Sequence, residues 1–189
     1  MEYPFTPIEP GQIPVAAEAA FQCVVNTYAS ETNKVISIWR AFSNEDLAFR
    51  PHPKSSTVGE IFKHELLSGR RFFGEFLQGP EPEASIVLPD PVSVEACCER
   101  MRTLARRRLD FLASRTEPWW LTEAAFFDVT RQRIWIFWRR VLHTAHHRSQ
   151  LTVYLRLLDK DVPPTYGPTA DFSWSGADPT HTVEASGRH

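Results

Sequence analysis

His143-Thr144-Ala145-His146-His147-Arg148-Ser149-Gln150-Leu151 sits at the centre of a long apolar segment running from Ile134 to Leu158. The surrounding positions repeat with a helical period, so the segment reads as one long helix, from about Arg131 to Leu158. On such a helix, residues i and i+4 are separated by about 40° around the axis, which places His143 and His147 on one face. Two imidazoles so arranged converge on a single divalent ion. His146, rotated by about 100° from His147, is the poorer partner and reads as exposed or supporting. A protein site needs at least one more ligand, and His64 is the favoured third.

The chain around this segment reads as three further helices. Ala20, Val24, Tyr28, Val35, Ile38 and Ala41 recur at three- and four-residue steps, giving a first helix within Val15 to Phe42. Ser56 or Thr57 caps a second, with Glu60 in its first turn; it runs to about Leu77 and stops at Gln78-Gly79-Pro80. Ser93 opens a third that ends near Ser114. The first 14 residues hold four prolines and read as an extended lead-in that packs loosely or not at all. Residues 79 to 92, also proline-rich, and the aromatic-rich stretch Thr116 to Thr130 are connections, and after Asp159 the chain reads as loop and tail. Alternation is short and no Asn-Gly or Asp-Gly turn is present, so no strand is expected. Four helices of this length predict an all-α four-helix bundle, whose core commonly hosts metal ligands on facing helices.

Composition narrows the function classes. The chain has 189 residues, 42% hydrophobic and 23% charged, as in a soluble globular protein of one domain. A net charge of −2 and a pI near 6.4 give no electrostatic case for nucleic acid. The basic clusters Arg100 to Arg108 and Arg131 to Arg140 are interleaved with apolar residues and read as the solvent side of helices. Three cysteines, Cys23, Cys97 and Cys98, make no disulfide framework and favour a reducing cytoplasm. The N-terminal stretch does not read as a signal peptide, and no apolar run reaches the ~18 residues of a membrane span.

His64 lies on the border of the stripe Val58, Phe62, Leu66, Phe73, where a bundle aims it inward, opposite His143 and His147. Three imidazoles with an open position make a catalytic-type site, since structural zinc sites usually close with four ligands. Imidazole alone does not choose between zinc, nickel, iron or another divalent ion. His52, between two prolines, reads as a loop residue, and His181 and His189 as inert residues of the tail.

The stretches Arg50-Pro51-His52-Pro53-Lys54-Ser55-Ser56-Thr57-Val58-Gly59-Glu60-Ile61-Phe62-Lys63-His64 and Leu142-His143 through His147-Arg148-Ser149-Gln150 resemble the two histidine motifs of the DinB/YfiT-like family of metal-dependent proteins. Val162-Pro163-Pro164-Thr165-Tyr166-Gly167-Pro168 resembles its usual ending, so the resemblance covers roughly residues 15 to 168. Ser149 departs from it, standing where the family usually has glycine. The resemblance implies a single bundle domain over residues 1–168 with a tail over 169–189, a long crossover connection and a homodimer. It also implies a metal triad of His64, His143 and His147, and a transferase that uses a low-molecular-weight thiol of the mycothiol, bacillithiol or glutathione type on a small-molecule substrate. Zinc or nickel is the expected ion. Arg148, Gln150 and Glu60 are the candidates for supporting contacts around the triad. A metal-dependent hydrolase is the alternative chemistry, and a non-enzymatic structural or stress-response bundle the alternative of a different class.

Overall fold

A computed structural model describes residues 6–172; residues 173–189, with His181 and His189 among them, lie outside it. Four long helices form the body: α1, Gln22–Arg40; α2, Val58–Arg71; α3, Val94–Ala113; and, after a short α4, Glu117–Leu121, the longest, α5, Arg133–Leu157. The main packing contacts run α1–α3, α1–α5, α2–α3 and α2–α5. The consecutive helices α1 and α2 therefore stand across a diagonal, and the link from residue 41 to 57 is the crossover. The fold is the all-α four-helix bundle the periodicity predicts.

Helix starts follow their caps. The Thr57 side chain accepts from Glu60 N, while the Glu60 carboxylate accepts from Thr57 N, a reciprocal capping box that starts α2. Ser93 caps α3 by accepting from Ala96 N. The second helix is not α-helical to Leu77: a π-helical turn, Phe72–Phe76, follows α2 and packs Phe72, Phe73 and Phe76 inward.

Two apolar clusters fill the bundle. One holds Val25, Tyr28, Phe73, Leu109, Trp120 and Phe137; the other holds Ile36, Trp39, Phe62, Leu66, Leu151 and Leu155. On α1 and α5 a buried polar belt separates them, with Glu31 to Lys34 on one helix and Arg140 and Arg148 on the other. Each buried guanidinium in this region meets a carboxylate. Arg108 binds Glu81 through two 2.7 Å hydrogen bonds, Arg140 meets Glu65, and Arg148 meets Glu31. Arg108 and Arg140 thus depart from the solvent-side reading of the basic clusters: they are buried, because each finds a buried acid.

Three connections are more ordered than the sequence suggests. Ile8 is buried, and the Asn33 side chain holds its backbone by accepting from Ile8 N and donating to Ile8 O, so this part of the lead-in packs firmly. The stretch read as a connection from Thr116 to Thr130 contains α4 and the first strand of an antiparallel hairpin, β1, Glu123–Phe126, with β2, Val129–Gln132. The expectation of no strand is therefore corrected. The register pairs Glu123 with Gln132 and Phe126 with Val129, leaving Phe127 and Asp128 as the turn. After α5, Arg156 binds Asp171, and Tyr166 donates to Glu31, which folds residues 162–171 back onto the bundle. No helix among the described residues is long and apolar enough to cross a membrane.

Candidate metal centre

His64 projects from α2, while His143 and His147 stack one turn apart on α5. The bundle brings all three together: one donor atom from each, with one from Glu65, lie within 4.8 Å of one another. Nε2 of His64 and Nε2 of His143 are 3.2 Å apart. Two ligands at about 2.1 Å on a tetrahedral ion would stand roughly 3.4 Å apart, so these nitrogens already have the spacing of a coordination edge. Nδ1 of His147 faces Gln150 Oε1 at 3.2 Å, which leaves its Nε2 as the free ring nitrogen.

Behind the imidazoles lies a layer that orients them. Glu65, one residue after His64, is buried and reaches the opposite side of the site. Its Oε1 is 3.2 Å from His143 Nδ1, and its Oε2 is 3.1 Å from Arg140 Nη2. Arg140 also donates to the Glu65 backbone carbonyl, and its Nη1 lies 2.9 Å from His143 Nδ1. That nitrogen either donates to Glu65 or accepts from Arg140. Only the first tautomer leaves the Nε2 lone pair pointing at His64, so the carboxylate–histidine contact is the one that suits a metal. Gln150 plays the matching part for His147, and its amide donates to the Tyr154 hydroxyl, which donates to Ser56 O.

Electrostatics favour neutral donors. His64 lies at the exposed edge of the site and His147 is half-buried; partial desolvation, offset in part by the Glu65 charge, holds both rings below the usual imidazole range. Burial alone would raise the Glu65 carboxyl, but the Arg140 charge and the contact with His143 bring it down to about 2. It stays an acceptor at any physiological pH. Cys97 and Cys98 are not among the groups gathered at the site; they are buried in the apolar core, which pushes them up to about 11 and about 12.

The supporting residues read from the sequence divide. Gln150 is at the site. Glu60 is spent on the helix cap and is not among the groups around the histidines. Arg148 points to the other side of α5, where its guanidinium meets Glu31 and lies 4.7 Å from the Tyr166 ring centroid; the helix rotation after His147 turns it into the core. His146 is exposed, and His52 is an exposed loop residue accepting from Lys54 N. Glu65 and Arg140, which histidine spacing does not single out, each interrupt an apolar stripe: Glu65 between Phe62 and Gly69, Arg140 between Phe137 and Val141. A charge in such a position was the available signal.

Comparison with known proteins agrees with the architecture. A DinB-like protein of Bacillus cereus superimposes with a TM-score of 0.67 at 21% identity, covering 76% of this chain and 95% of that one. The DinB-like protein YjoA of Bacillus subtilis gives 0.63 at 19% identity, covering 76% and 97%. At these identities the likeness speaks for the fold. No curated protein matches the sequence. The model of the DinB family matches residues 21–178, more than four-fifths of the length. The chain belongs to the DinB family.

Proposed function

We propose that this protein is a metal-dependent enzyme in which His64, His143 and His147 hold one divalent ion, zinc or nickel, and the sulfur of a low-molecular-weight thiol bonds to carbon of a small electrophile, whose leaving group departs as an anion while the thiol proton passes to solvent. The observation that carries the reading is the convergence of three imidazoles from two helices, with a buried carboxylate behind one and an amide behind another. Structural polar belts have no need to aim ring nitrogens at one another. A divalent ion in a three-histidine site supplies Lewis acidity that favours the thiolate form of a sulfur nucleophile near neutral pH.

The chain's own residues do the rest. Glu65 accepts the Nδ1 proton of His143 and Gln150 that of His147, which fixes both tautomers with Nε2 inward. Arg140 holds the Glu65 carboxylate and so fixes the plane of His143. Partial desolvation lowers the His64 and His147 rings, which favours the neutral form that can act as a donor. The proposal includes a single functional domain over residues 1–168, with a tail beyond it, working in the cytoplasm as a homodimer. Exposed Trp135, Trp138 and Leu142 on one side of α5 support a partner face.

The test is thiol transfer by zinc- and nickel-loaded protein, with mycothiol, bacillithiol or glutathione and a panel of alkyl and aryl halides. The proposal expects turnover that needs both thiol and metal and disappears in His147→Ala, while that variant keeps its helical spectrum. Loaded protein with no turnover for any of the three thiols overturns the transferase reading. A large loss of thermal stability in metal-free His147→Ala would instead favour a structural role.

A further inference from the structure

A cavity of about 450 Å³ opens beside His64 and His143, within the range of small-molecule sites. Its walls are of two kinds. Phe72, Phe126 and Phe127 form an aromatic side, and Arg71 and Arg139 a cationic one, with no carboxylate among the described lining residues. Arg139 is exposed and has no ion-pair partner among the described residues. Arg71 shares Glu75 with Arg70 and lies 4.9 Å from the Phe127 ring centroid, so its charge is only partly met.

The aromatic side rests on two backbone irregularities. Phe72 opens the π-helical turn, a feature frequent at functional sites. Phe127 is the first residue of the hairpin turn and has φ 54°, a left-handed conformation that such turns normally give to glycine. A bulky ring is nevertheless kept there, 59% exposed, at the mouth of the cavity. Strain retained together with an exposed aromatic ring is expected where the ring meets a ligand.

We propose that this cavity is the substrate pocket and that it takes an organic anion with a flat apolar body. The arginines receive the carboxylate, sulfonate or phosphate, and the phenylalanines cover the body. The inference deepens the metal-centre reading, on which it rests for the location of the reacting group, but binding in the pocket does not require the ion.

The test is titration calorimetry with 2-naphthoate and its neutral isostere 2-naphthamide, on chelated protein and on zinc-loaded protein. The expected result is about tenfold tighter binding of the acid than of the amide in both forms. Arg139→Gln and Arg71→Gln each cut the acid's affinity by about threefold with little change for the amide. Phe127→Gly, which suits the turn and keeps the melting temperature, weakens both ligands. Equal binding of acid and amide, no binding of either, or an acid preference unmoved by both arginine variants overturns the proposal. A preference that vanishes on chelation also overturns it, and leaves the metal-centre reading standing. A chain that takes up no metal and keeps the preference overturns the metal-centre reading and supports this one.

Discussion

Replacing Glu65 by Gln removes one charge and almost no volume from the layer behind the histidines. In the native protein that charge meets Arg140 at 3.1 Å and the His143 ring at 3.2 Å, with both acid and guanidinium buried. Glutamine still offers one acceptor, but its amide must face a guanidinium or the His143 N–H, and the Arg140 charge stays in the core uncompensated. Breaking a buried pair from one side costs about 3–5 kcal/mol. Linkage gives an independent figure. The Glu65 carboxyl falls from its ordinary 4.5 to about 2, which at about 1.4 kcal/mol per pH unit is worth about 3 kcal/mol at neutral pH. Because the folded value is the lower one, this stability is present in full above pH 4.5 and is lost as pH falls toward 2. Chelated Glu65→Gln should therefore unfold about 3 kcal/mol more easily than chelated wild type at pH 7, roughly 6–12 °C in melting temperature. The gap should shrink to about 1 kcal/mol by pH 3, since only the wild type titrates. Urea denaturation at pH 7 and at pH 3 measures both. A gap under about 1 kcal/mol at pH 7, or one that stays constant down to pH 3, refutes the placement of Glu65 as an ionised, Arg140-bound acceptor.

Gln150→Leu removes the acceptor from His147 Nδ1 and should weaken zinc affinity by about 10–100-fold, read by competition with a chromogenic chelator. Arg148→Met leaves Glu31 buried with Lys34 as its remaining charged partner. It should cost about 2–4 kcal/mol in urea denaturation while leaving zinc affinity within about threefold of wild type, since Arg148 faces away from the histidines. Gly69→Ala puts a methyl carbon 2.9 Å from Arg108 Nη1 and 3.3 Å from Arg140 Nη2, both pinned by carboxylates. The crowding outweighs the gain in helix propensity, and a net loss of about 1–2 kcal/mol in thermal unfolding is expected.

The bundle was legible because its signals are local and repeated. The apolar period on α5, the Thr57–Glu60 capping box and the stop at Gln78-Gly79-Pro80 each depend on neighbours a few residues apart. The same holds for His143 and His147, whose shared face follows from helix geometry alone, and His64 followed from its place beside an apolar stripe. The illegible parts depend on distant partners. The hairpin turns on Phe127-Asp128, which carries none of the usual glycine chemistry, and β2 is exposed along its length, so no alternation marks it. Packing of the lead-in around Ile8 depends on Asn33, 25 residues away. Arg108 and Arg140 look like solvent-facing residues until Glu81 and Glu65 are found opposite them. Gln150 is legible from its step from His147, while Arg148, though adjacent to that histidine, is carried by the helix rotation to Glu31.

Whether His64, His143 and His147 form one metal centre is decided by metal content. Untagged wild-type protein, His64→Ala and His143→Ala would be compared by plasma mass spectrometry after purification and again after incubation with zinc or nickel. About one equivalent of zinc or nickel is expected in the wild type, and its loss in both variants. A wild type that is metal-free and takes up neither added ion would contradict that expectation.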